Sequence, residues 1–129
     1  MLAQPLAPHR DRQMNLSKVL LILLSTISLN VFATTQDEIN HLLVFLESTD
    51  CRYERNGTLH NGAEAVEHIK KKYSYFSDDI KSTEDFIKYS ATKSKISGEY
   101  YKVHCINKLP INSHDWLLRE LKAYRKVKK

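Results

Sequence analysis

Cys51-Arg-Tyr-Glu-Arg-Asn-Gly-Thr-Leu-His60 spells a β-hairpin. Its centre, Asn56-Gly57, supplies the two left-handed residues that a type I′ turn requires. Gly has no Cβ to clash at φ > 0, and Asn tolerates that region. A later run, Tyr100-Tyr-Lys-Val-His-Cys105, alternates in the same way and ends on the second of two cysteines. Placed antiparallel with Cys51 opposite Cys105, the two strands bring Tyr53 against Val103, Arg55 against Tyr101 and Glu54 against Lys102. One face is then apolar or aromatic apart from Arg55, and the other carries an opposite-charge pair. A slip of one residue would split the cysteines between faces, so the register is specified.

Working outward, the segment before the hairpin divides the chain. Met14 to Lys18 is a short charged start, Val19 to Phe32 is apolar, and Val31-x-Ala33 is a cleavage pattern. This is the layout of a secretory signal peptide. The apolar run is broken by Ser25, Thr26, Ser28 and Asn30 and falls short of the roughly 20 residues of a spanning helix. Residues 1–33 are expected to be leader and signal, with Met1 or Met14 as the start. Residues 34–129 are expected to form one periplasmic domain with no stable membrane insertion. The full chain carries 20 Lys plus Arg against 15 Asp plus Glu, and much of the excess sits in the last residues, a basic tail expected to fray. Two cysteines in an exported domain pair most simply with each other. They would close a loop of about 55 residues, a stabilisation on the order of 4 kcal/mol.

Helical periodicity fills the intervals. Thr35-x-x-Glu38 fits a capping box, followed by Ile39, Leu42, Leu43 and Leu46 at helical spacing. Asn61-x-x-Glu64 opens a second helix through about Tyr75, with Ala65, Ile69, Tyr73 and Phe76 inward. Ser82-x-x-Asp85 caps a third, and Ser113 a fourth with Leu117, Leu121 and Tyr124 inward. Thr92 to Gly98 and Lys108 to Asn112 have loop composition, and Gly98 is expected at positive φ. The expected architecture is α+β: a three-stranded antiparallel sheet in order 2-1-3, packed against about four helices, with one disulfide.

Arg55-Asn-Gly57, His60, Glu64-Ala65, His68 and Lys72 form a string that continues through Ile80-x-Ser82-x-Glu84-x-Phe86-Ile87 and Ser94-x-x-Ser97-Gly98-x-x-Tyr101. Taken together, these residues resemble the YfeK-like family of small exported proteobacterial proteins, a domain-of-unknown-function grouping. The resemblance covers roughly Glu38 to Val103. It implies an envelope protein and carries no assigned catalytic residue.

Among polar residues, Glu64, His68 and Lys72 lie at successive i,i+4 steps of the second helix, where a carboxylate could set the imidazole's tautomer. Such a row is also an ordinary solvated helix face. Arg55 falls on the inward face beside Tyr101 and needs a mate, with Glu84 and Glu64 as candidates. Ser94, Ser97 and Gly98, with Lys93 and Lys95, gather hydroxyls and positive charge in a loop able to hold an anion. Ser90-x-x-Lys93 matches the penicillin-recognising pattern only in spacing, because it falls where a short helix ends rather than begins. The histidines show no zinc spacing, three glycines leave no nucleotide loop, and interleaved acids argue against nucleic acid. No metal or other cofactor is called for.

The expected function is binding, without catalysis, of an envelope protein or an anionic envelope component through Arg55, Glu64, His68, Lys72, Glu84, Ser94, Ser97 and Tyr101. One alternative is a small hydrolase with His68 as base and Ser94 or Ser97 as nucleophile. Another follows from Ser97-Gly98-x-x-Tyr101, which resembles the Ser-Gly motif of a class of bacterial lysozyme inhibitors built as β-barrels.

Overall fold

A computed structural model describes residues 33–129, so the signal-peptide and cleavage expectations lie outside the described residues. Helix α1 (Thr35–Ser48) leads into strand β1 (Arg52–Arg55), strand β2 (Thr58–His60) and helix α2 (Gly62–Tyr75). One turn of 3₁₀ helix (Ser77–Asp79) precedes α3 (Thr83–Ser90). Strands β3 (Lys102–His104) and β4 (Ile111–Asn112) follow, then α4 (Ser113–Lys128).

The hairpin turns through Asn56 at φ 52° and Gly57 at φ 78°. Strands β1 and β3 pair antiparallel with Tyr53 opposite Val103 and Glu54 opposite Lys102. Just beyond the ladder, Cys51 and Cys105 form the disulfide with Cα atoms 4.4 Å apart. Tyr53, Tyr101 and Val103 are buried, as expected of one shared face. They meet Ile39, Leu42 and Leu46 of α1, Ala65, Val66 and Ile69 of α2, Phe86 and Ile87 of α3, and Leu117 and Leu121 of α4. Each fully buried side chain of this size contributes about 1.5–3 kcal/mol of transfer free energy.

The sheet has four strands rather than three, in order β2-β1-β3-β4. The chain reverses after Cys105 through Asn107 at φ 59°, and Ile111–Asn112 then pair with Val103 and Lys102. Two residues are too few to show alternation, which is why this segment has loop composition. On the outer face, Glu54 sits opposite Lys102 but its carboxylate meets His104 Nε2 at 3.1 Å instead.

Helix ends depart from expectation in three places. The α1 capping box is Thr34 with Asp37, one residue earlier than Thr35 with Glu38. Glu38 is drawn inward, where it is buried. Ser113 is not a cap: its hydroxyl lies 2.7 Å from that of Tyr53, which also donates to the Ala91 carbonyl at 3.3 Å. The basic tail does not fray at Arg125, because α4 runs to Lys128. Arg125 donates to both oxygens of Glu38, at 2.6 and 3.0 Å, and contacts Glu84 at 2.6 Å.

The expected caps of α2 (Asn61 with Glu64) and α3 (Ser82 accepting from the Asp85 amide) are present. At the start of α2, Gly62 packs directly on the end of α1. A Cβ there would press on the Leu46 carbonyl oxygen and come within 2.9 Å of that of Glu47. Helix propensity alone favours alanine over glycine by about 1 kcal/mol. Overpacking against rigid backbone wins, so Gly62→Ala is expected to cost about 1–3 kcal/mol. A urea midpoint that stays level or rises would refute this contact.

Candidate functional site

The hairpin tip, the middle of α2 and the Lys93–Tyr100 loop meet around a pocket of about 510 Å³. The hairpin contributes Arg55 and Asn56. Successive turns of α2 contribute His68, Lys71, Lys72 and Tyr75, with Phe76 just past its end. The loop adds Ser94, Lys95 and Ile96, and Tyr101 forms part of the wall. The loop is held in place by a Lys93–Tyr100 bridge and by Gly98 at φ 74°. Its hydroxyls are spent on this framework. Ser97 Oγ donates to Asn56 Oδ1 at 2.6 Å, and Ser94 Oγ accepts from the Ser97 amide at 3.3 Å.

Inside the pocket a chain of hydrogen bonds ties α2 to the wall. Lys72 Nζ donates to the Lys93 carbonyl at 2.7 Å and to the Tyr101 hydroxyl at 3.2 Å. An ammonium can only donate, so the Tyr101 oxygen accepts from it. The same hydroxyl lies 3.2 Å from His68 Nε2. Burial, and then the charges of Arg55, Lys72, His60 and Lys71, hold the His68 pKa down at about 4. Burial, Arg55 and Lys95 lower that of Lys72 to about 8.

These shifts have a definite sign in stability. Between pH 4 and the unshifted value of 6.5, the unfolded His68 binds more proton than the folded one. Stability therefore rises with pH across that window, and Lys72 acts the same way from about 8 to 10.5. The His68 ring signal in a proton NMR titration is expected to stay flat from about pH 5.5 to 8, where an ordinary imidazole titrates. A midpoint near 6.5 would show that burial and the neighbouring cations do not act on the ring in this way.

Of the residues singled out by sequence, Arg55, His68, Lys72, Ser94 and Tyr101 line the pocket, and Ser97 braces its rim through Asn56. Glu64 does not meet His68. It faces a neighbouring cleft of about 220 Å³ and lies 3.2 Å from His60 Nδ1, because i−4 on the hairpin side is nearer than i+4. Glu84 is committed to Arg125. Neither carboxylate therefore mates with Arg55, and among the described residues no carboxylate lies within ion-pair distance of it. No hydrogen bond joins His68 to Ser94 or Ser97. Ser90 is fully buried. Among the described residues there is no cluster fit for a metal, and no helix long and apolar enough to cross a membrane. The open four-stranded sheet under four helices is not the barrel of the lysozyme inhibitors. Lys71, Tyr75, Phe76 and Ile96 were not expected at a site; their convergence depends on how the loop folds back over α2.

The family of unknown function DUF5329 matches residues 33–125, which include every residue of the pocket. The chain belongs to that family. "Uncharacterized protein YfeK" of Salmonella typhimurium (strain LT2) is 37% identical over 73 residues, 56% of this DUF5329 chain and 61% of the relative. The chain thus spans less than two thirds of that relative's length. No solved structure matches. The expected YfeK-like grouping is met, and with it the status of a family whose activity is not established.

Proposed function

We propose that this DUF5329 protein is a periplasmic binding protein whose pocket holds an anionic component of the cell envelope. Export would end with cleavage after Ala33, and the Cys51–Cys105 disulfide is compatible with an oxidising compartment. One observation carries the reading. Arg55, Lys72 and Lys95 converge on one pocket whose lining includes no carboxylate, joined by Lys71, which is paired with Glu67 at 3.5 Å. Like charges held together cost free energy; burial first, and then the charges of Arg55 and Lys95, depress the Lys72 pKa. An anion bound among them offsets it.

Binding to the folded state raises thermal stability by mass action. At low ionic strength, millimolar inorganic phosphate is expected to raise the melting temperature of the wild type and to have at least a several-fold weaker effect on Arg55→Ala. Equal responses in the two proteins would remove Arg55 and its pocket from the function.

A further inference from the structure

Resting on that reading, we infer that the ligand is an amphiphile: a phosphate monoester joined to an aromatic or aliphatic group. Two observations beyond the charge itself lead there. The first is size. A water occupies about 30 Å³ of liquid, so a pocket of about 510 Å³ far exceeds an inorganic oxyanion. It falls in the range of sites for organic ligands.

The second is how the lining is divided. Arg55, Lys72 and the Tyr101 hydroxyl gather at one part of the wall, since Lys72 touches Tyr101 and Arg55 acts electrostatically on both. Tyr75, Phe76 and Ile96 form an apolar part. Lys95 lies over its two rings, with Nζ 4.5 Å from the Tyr75 ring centroid, 5.3 Å from that of Phe76 and 3.0 Å from the Tyr75 hydroxyl, so Ile96 is its uncovered member. Ile96 is 99% exposed and Tyr75 70% exposed. An apolar side chain held at the mouth of a cationic pocket with nothing upon it is suited to the hydrocarbon part of a ligand whose charged end lies below.

The charged end is assigned as a phosphate monoester on count and shape. Arg55, Lys72 and Lys95 place three cationic side chains on a pocket whose lining holds no carboxylate. A dianion is matched by them better than a monoanion. Lys95 approaches from the loop, Lys72 from the helix and Arg55 from the hairpin, so donors arrive from three directions. A tetrahedral group with three peripheral oxygens can accept from all of them, where a planar carboxylate offers two oxygens. His68, whose Nε2 lies 3.2 Å from the Tyr101 hydroxyl, takes no part in the charge balance.

The test uses 1-naphthyl phosphate, inorganic phosphate and 1-naphthol as probes in isothermal titration at low salt. The naphthyl ester is expected to bind at least ten-fold more tightly than either half alone, and Arg55→Ala to weaken it at least ten-fold. Ile96→Ser, at a fully exposed position that the fold does not need, is expected to weaken the ester several-fold and leave inorganic phosphate unchanged. Equal affinity for inorganic phosphate and the ester overturns the amphiphile while leaving an anion pocket standing. An unaltered ester affinity in Ile96→Ser overturns it too. Absence of Arg55-dependent binding by any anion removes both this inference and the proposed function. Sedimentation with phosphatidylcholine vesicles, with and without phosphatidic acid, separates the two sources of the shared chemistry. Arg55-dependent recruitment assigns the monoester to a membrane lipid, and tight ester binding without recruitment assigns it to a soluble ligand; either result supports the amphiphile.

Discussion

The Cys51→Ala/Cys105→Ala protein is expected to unfold with a stability lower by about 4 kcal/mol, the largest loss anticipated for any change away from the pocket. The cysteines are 54 residues apart in sequence. Joining them removes a long loop's worth of freedom from the unfolded chain, while the folded strands already hold the two positions together. The closed loop contains the hairpin, α2, α3 and the segment that walls the pocket. For a domain of this size about 1 kcal/mol moves the melting temperature by 4–8 °C. A drop of about 15–30 °C is therefore expected, with dithiothreitol treatment of the wild type giving a similar one. Total stabilities of small domains are only about 5–15 kcal/mol, so the bond accounts for a large share. A difference under about 1 kcal/mol would mean that the unfolded chain is already confined without it.

Arg125→Ala is expected to cost about 2–3 kcal/mol. Removing one partner of a fully buried ion pair costs about 3–5 kcal/mol, because the other charge is left without compensation. Here the Glu38 side chain is only 9% exposed, but that of Arg125 is 42% exposed and already meets water, which lowers the figure. Thr83 Oγ1, which donates to Glu38 at 2.6 Å, is retained in the variant as a partial replacement. The Arg125 hydrogen bonds hold the Glu38 carboxyl below its ordinary pKa of 4.5, aided by Thr83 and opposed by burial. A depressed carboxyl pKa gives stability that is complete above the unfolded value and disappears as pH falls through the folded one. The wild type should thus lose stability below about pH 4.5, and Arg125→Ala should show a shallower acid limb. Adding Glu38→Gln to Arg125→Ala should recover part of the loss, since it removes the stranded charge. A double variant less stable than Arg125→Ala would show that the carboxylate was not the source of the penalty.

The parts of the fold legible in the sequence are those with a local cause. Asn56-Gly57 reports its own backbone angles, and period-two alternation on both sides of the disulfide sets the register of β1 and β3. Arg55, His68, Lys72, Ser94 and Tyr101 were reachable by the same route, through register and helical spacing. What escaped was decided by distant neighbours. Thr35 with Glu38 fits the local box better than Thr34 with Asp37 does; Arg125, 87 residues away from Glu38, decides against it by drawing that carboxylate inside. The same pairing keeps α4 from fraying, although its end looks like a solvated basic tail. Strand β4 exists only because β3 offers it an edge. In the pocket, Tyr75 and Phe76 have the spacing of an ordinary helix flank, and Ile96 belongs to a loop. Their role as a wall follows from the Lys93–Tyr100 bridge, which no periodicity announces.

The Glu38–Arg125 pair also orders events in time. A chain delivered amino end first presents Glu38 long before its guanidinium arrives, so that carboxylate stays hydrated and the surface of α1 around it stays open. The final turns of α4 complete the closure.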